Sequence, residues 1–192
     1  MKSTDELKRE HEGVKRMLRV LGAVASKVEA GSPVPHTDLD SITEFLSVFV
    51  DKCHHAKEEE CLFPALEAAG IPREGGPIGV MLSEHAQGRA FIAKLKSAVA
   101  GYRSQRTDAP GPKSGPVPGN LASAARGYID LLTRHIEKEN EGLFPMADMR
   151  LSPADDARLV AAFEAIERDR IGPGKHEEFH RMIKRLEKDY LG

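Results

Sequence analysis

Two stretches of this chain carry the same block of residues. Cys53-His-His-Ala-Lys-Glu-Glu-Glu-Cys-Leu-Phe-Pro64 lies over Arg134-His-Ile-Glu-Lys-Glu-Asn-Glu-Gly-Leu-Phe-Pro145 without a gap, so that His54 meets His135, Glu58 meets Glu139 and both copies end in Leu-Phe-Pro. Upstream of each stands a Glu-His pair, Glu10-His11 before the first and Glu84-His85 before the second. The pattern describes two related helix pairs. His11 and His54 are 43 residues apart, whereas His85 and His135 are 50 apart. The extra residues fall in the Pro/Gly-rich stretch from Asp108 to Gly119, which reads as a mobile loop able to absorb length at little entropic cost. The four histidines can then lie at similar depth in an antiparallel bundle, one on each helix.

Helical spacing runs through the rest of the chain. Leu7, His11, Val14, Leu18, Leu21, Ala25 and Val28 step by fours and threes, one stripe of a helix from about Thr4 to Ala30. Gly31-Ser-Pro-Val-Pro35 breaks it, and Leu39, Ile42, Leu46, Val50 and His54 mark a second helix from about Thr37 to Ala69. Ile78, Met81, His85, Gly88, Ile92, Leu95 and Val99 give a third from about Pro77 to Ser104, and a fourth covers about Leu121 to Met149. Ser152 followed by Pro153 is a cap with proline at the first helical position, which places another helix over Pro153 to about Arg170. Gly172-Pro-Gly174 separates it from a last one, Lys175 to Leu191. No useful period-two alternation appears, so the expectation is an all-α fold. It is an up-down four-helix bundle with an internal two-fold repeat over residues 4–149 and one or two extra C-terminal helices over 152–192.

A length of 192 residues suits one domain, and a formal net charge of −2 leaves no electrostatic footprint for nucleic acid or an anionic membrane. The charged start and the lack of any apolar run of about 18 residues point to a cytoplasmic protein. Cys53 and Cys61, eight helical residues apart, would hold their Cα atoms about 12 Å from one another, beyond disulfide reach.

An H-x-x-x-E pair returns to nearly the same side of a helix, so His54 with Glu58, and His135 with Glu139, can both face one metal ion. The glutamates sit among core positions, where an unpaired carboxylate costs several kcal/mol, roughly; ligation removes that objection. A single stripe histidine is most often a hydrogen-bonded core residue. Four of them from four helices, with two glutamates one turn on, form a ligand set. Imidazole and carboxylate without thiolate suit iron, manganese or zinc. Six protein ligands exceed what one tetrahedral zinc needs and fit two metals sharing carboxylates in a bundle core.

These residues resemble the hemerythrin-like, or HHE cation-binding, family. The likeness rests on His11, on His54 and Glu58 with their Leu-Phe-Pro tail, on His85, and on His135 and Glu139 with the second tail, and it spans about Thr4 to Met149. It implies a pair of irons, oxo- or hydroxo-bridged, with Glu58 and Glu139 as bridges; manganese or zinc could stand in their place. Oxygen-carrying hemerythrins have two histidines one turn apart on the third helix, whereas His85 here has Met81 before it and Arg89 after it. His176, on the stripe of the last helix, is the leading replacement. His55 follows, although a turn of about 100° from His54 makes it first a surface or supporting group. Glu177 and His180 could join His176, and water could also fill the position. Cys61, Met17, Met146 and the phenylalanines of Leu-Phe-Pro read as core, and His36 as exposed.

The function expected from this set is a non-haem di-iron protein that binds or senses dioxygen or related oxidants, and is not an enzyme. The alternatives are a di-iron enzyme consuming peroxide or nitric oxide, and a signalling or interaction module with a structural metal. Dioxygen, peroxide or nitric oxide would be the small partner, and a homodimer is allowed.

Overall fold

The computed structural model describes residues 1–105 and 118–192. Of the expected loop, only Pro118 and Gly119 fall within this range, and they open a helix; the rest lies outside the described residues. Every regular element among the described residues is helical: α1 (Lys2–Glu29), α2 (36–68), α3 (Pro77–Gln105), α4 (118–150), α5 (153–171) and α6 (Lys175–Leu191). No helix among them is long and apolar enough to cross a membrane.

Three of these helices change winding. α2 widens to i→i+5 hydrogen bonding over Phe45–His55 and Glu58–Leu62, α4 over Glu139–Leu143 and α5 over Glu167–Ile171. In α2 and α4 a wide turn ends just before Phe-Pro. Proline cannot donate to the helix and its ring crowds the carbonyl four residues back, so the added residue per turn lets the helix pass through Pro64 and Pro145 without breaking. α5 begins with a reciprocal cap: the Asp155 amide donates to Ser152 Oγ at 3.2 Å, and the Ser152 amide donates to Asp155 Oδ2 at 2.9 Å. Between α5 and α6, Gly172 (φ 81°) and Gly174 (φ 79°) supply the left-handed backbone needed around Pro173.

α1 packs against α2, α4, α5 and α6; α3 packs against α2 and α4. Two apolar clusters form among the described residues. One gathers Val14, Leu18, Leu46, Val50, Ile92, Leu132 and Ile136 with Phe179 and Leu186 of α6. The other gathers Leu7, Leu62, Phe63, Met81, Leu143 and Phe144 with Phe163 of α5. On each of α1 to α4 the chain passes from one cluster to the other across the level of the histidines, so a buried polar layer lies between two dry ones. Burial there strengthens every electrostatic contact and makes an unpaired group costly.

Candidate metal centre

His11, His54, His85 and His135 all lie in that layer with Glu58 and Glu139, each almost fully buried. Two groups of donor atoms form: His11, His54, Glu58 and Glu139, and His55, Glu58, His85 and His135, the atoms of each within 4.8 Å of one another. Glu58 belongs to both, its Oε1 3.5 Å from His54 Nε2 and its Oε2 3.4 Å from His85 Nε2. Glu139 Oε2 likewise lies 3.1 Å from His11 Nε2 and 3.3 Å from His135 Nε2.

The far side of each imidazole fixes what the near side can do. His54 Nδ1 donates to Glu10 at 2.7 Å, His85 Nδ1 to Glu59 at 2.7 Å, His135 Nδ1 to Glu84 at 3.0 Å and His11 Nδ1 to Asn140 Oδ1 at 3.0 Å. With the proton held at Nδ1 by an oxygen acceptor, each neutral ring turns an Nε2 lone pair inward. These lone pairs meet head on: His11 Nε2 to His54 Nε2 is 3.0 Å, and His85 Nε2 to His135 Nε2 is 3.1 Å. All four oxygens of Glu58 and Glu139 also lack a hydrogen-bond partner among the described residues. Lone pairs and carboxylates converging in a dry layer repel one another unless a cation stands among them. The donor set therefore fits a pair of metal ions.

The carboxylates favour positive charge on the rings nearest them, the charge that a metal ion would supply in place of a proton. Burial works against charge on His85, yet Glu58 and Glu59 raise it to about 9, and Glu139 raises His11 against the same opposition. Burial pushes Glu139 up, but His135, His11 and His85 hold it below the usual carboxylate range. Glu84, bonded to His135 and Lys138, falls to about 2.

His55 is not a surface group. It is 2% exposed, stacks on His85 at 3.8 Å and 15°, and neither ring nitrogen has a hydrogen-bond partner among the described residues. Burial drives its basicity well below that of an ordinary histidine, with His85, His54, His135 and Arg89 adding to the effect, so it is a neutral base. The wide winding of Phe45–His55 swings it inward, because successive side chains in an i→i+5 helix diverge less than in an α-helix. His176 stands elsewhere: its ring stacks on Phe49 at 5.4 Å, and it groups with Glu10 and Glu167, in neither of the two sets above. His180 and Glu177 keep its company on α6 and are likewise absent from both.

Cys61 is half-buried at the edge of the second apolar cluster, and Cys53 is buried with its thiol pushed up to about 12 by desolvation. Met17, Phe63 and Phe144 are core. Met146 is a correction at 38% exposed, and His36 is another, half-buried against Tyr102. The supporting residues Glu59 and Asn140 were missed in the sequence, although they occupy equivalent places directly after Glu58 and Glu139.

Fold and side chains together define a helical protein with a buried histidine–carboxylate cluster of the cation-binding kind. The chain belongs to the hemerythrin HHE cation-binding domain family, which matches residues 2–147. It is 24% identical over 184 residues to the uncharacterized protein Rv1995 of Mycobacterium tuberculosis, covering 96% of this chain and 68% of that one. It is also 28% identical over 145 residues to the iron-sulfur cluster repair protein YtfE of Escherichia coli, covering 72% of this chain and 61% of that one. No solved structure matches.

Proposed function

We propose that the chain is a dinuclear non-haem iron protein whose reduced metal pair binds or senses dioxygen or a related small oxidant. The observation that carries this is the convergence of four Nε2 lone pairs on two unpartnered carboxylates in a layer sealed between apolar clusters. His11 and His54 would hold one ion, and His85 and His135, with His55 as the further nitrogen, the other. Glu58 and Glu139 reach both. Two ferrous ions held there would supply two electrons to an oxidant. The protein's part is to keep each imidazole in one tautomer through Glu10, Glu59, Glu84 and Asn140, and to exclude water with Phe63 and Phe144, whose rings stack on His85 and His11 at 5.8 and 5.4 Å.

The frame for this is a single domain built on an up-down four-helix bundle with an internal two-fold repeat. Its support is the ring of neighbours α1–α2–α3–α4 and the alternate order in which these helices cross the two apolar clusters. The recurrent contacts also support it: His54–Glu10 answers His135–Glu84, and His11–Asn140 answers His85–Glu59.

The similarity to an iron-sulfur cluster repair protein favours a second reading, in which the pair is iron for delivery to another protein. Metal analysis with a visible spectrum, followed by rapid mixing of the reduced protein with dioxygen, peroxide or nitric oxide, separates the two. About two irons and a persistent adduct support oxidant binding. Loss of iron to an acceptor apoprotein without an adduct supports delivery, and a preparation that takes up no iron sinks both.

A further inference from the structure

The helices beyond the matched family segment reach the metal centre's support around Lys57 and Glu10. α5 ends in its wide turn, and Glu167 Oε1 there accepts from Lys57 Nζ at 2.6 Å. Lys57 is 0% exposed, and its other acceptors are Glu6 at 2.8 Å and Glu10 at 2.5 Å. An ammonium has three N–H donors, so three carboxylates saturate it, and a buried ion of this kind is tolerable only with all of them in place. The second oxygen of Glu10 holds His54 Nδ1 at 2.7 Å. A continuous chain of charge-assisted bonds thus runs Glu167–Lys57–Glu10–His54.

The other half of the centre has the same residues without the seal. Lys138 donates to Glu84, which holds His135, but the Lys138 side chain is 46% exposed and Glu84 is its one carboxylate partner among the described residues. Water can therefore compete more readily for the support of His135 than for that of His54, whose Lys57 and Glu10 are both buried. Glu10, Glu167 and His176 also face a cavity of about 430 Å³ walled by Phe45, Phe49 and Phe179. The Lys57 ammonium already supplies a cation to the two carboxylates, so the group acts as a salt-bridged joint.

We propose that Lys57 and Glu167 are positioning residues that slow release of the cation held by His11 and His54, so that the C-terminal helices govern one half of the centre and leave the other to solvent. This rests on the dinuclear reading above. Fixing Glu10 by a buried ammonium holds His54 in one orientation and tautomer, and outer partners of metal-bound histidines commonly change affinity by about 10- to 100-fold.

The test uses the full chain loaded with zinc, with release to excess chelator followed over time. Glu167→Gln is expected to speed one of two release phases about tenfold or more and leave the other within about twofold. Lys57→Met should move the same phase, Glu84→Gln the other one. The urea midpoint of the metal-free variants guards against a general loss of fold, since a merely structural role would move both phases together. Two bound ions with phases that do not respond, or that move in parallel with the urea midpoint, overturn the lock alone. Fewer than two ions bound by the unaltered protein overturns the dinuclear reading, and the lock with it.

Discussion

Glu58 and Glu139 hold oxygens within 3.5 Å of imidazoles from both halves of the centre, so neither can be removed without touching both groups of donors. Glu139→Ala is therefore expected to reduce metal uptake below two ions per chain while circular dichroism shows the helices intact; undiminished stoichiometry would contradict the shared role. Tyr128 makes the opposite case. It is completely buried, its hydroxyl has no hydrogen-bond partner among the described residues, and burial with the nearby Asp51 charge raises it above its ordinary range. A buried unsatisfied hydroxyl costs about 1–3 kcal/mol, so Tyr128→Phe should leave the protein as stable or more stable by about 1 kcal/mol, read from denaturant midpoints. A loss of stability would mean that the hydroxyl has a partner.

At the level of elements, the first turn of α1 depends on carboxylates delivered by the far end of the chain. Asp156 of α5 accepts from the amides of Lys2 and Ser3 at 3.1 and 2.9 Å and from Ser3 Oγ at 2.6 Å. A negative charge at that position also suits a helix N-terminus. Burial pushes the Asp156 carboxyl up, but its bonds to Ser3 and Lys2 outweigh this and hold it below its ordinary 3.8. A depressed folded value means that the stabilisation is complete above the unfolded one and is lost as pH falls through the folded one. Hydrogen-exchange protection of the first turn of α1, relative to the unstructured rate at the same pH, should fall below about pH 4, and Asp156→Asn should show the reduced protection already at neutral pH. Equal protection in the variant would show that the turn is held by packing alone.

For the molecule as a whole, the polar layer divides the two apolar clusters of the described residues. Its imidazoles and carboxylates gain their strongest partner only from bound metal, and anything that binds the folded state alone raises apparent stability with concentration. Removing metal with a chelator is expected to lower the melting temperature, and restoring it should reverse the change in proportion to the logarithm of free metal. Insensitivity to metal would place the centre outside the folding equilibrium. α5 and α6 have a different role: Phe163, Phe179, Ile183 and Leu186 are buried among residues of α1 to α4, so these helices are continuous with the two apolar clusters.

Apolar periodicity and proline punctuation determined the helices, because local spacing decides which face of a helix meets a core. The same spacing brought His54 together with Glu58 and His135 with Glu139, since residues one turn apart share a face whatever surrounds them. The sequence also contained the equivalence of Glu59 with Asn140 and of Lys57 with Lys138, but their roles were not legible from it. Only the packed chain decided that His55 turns inward while His176 faces a separate cavity, and that Lys57 is sealed while Lys138 meets water. Those outcomes depend on a local change of winding and on which helices cover which flank. The second is set by contacts between residues more than a hundred positions apart, such as Lys57 with Glu167, and no local pattern encodes it.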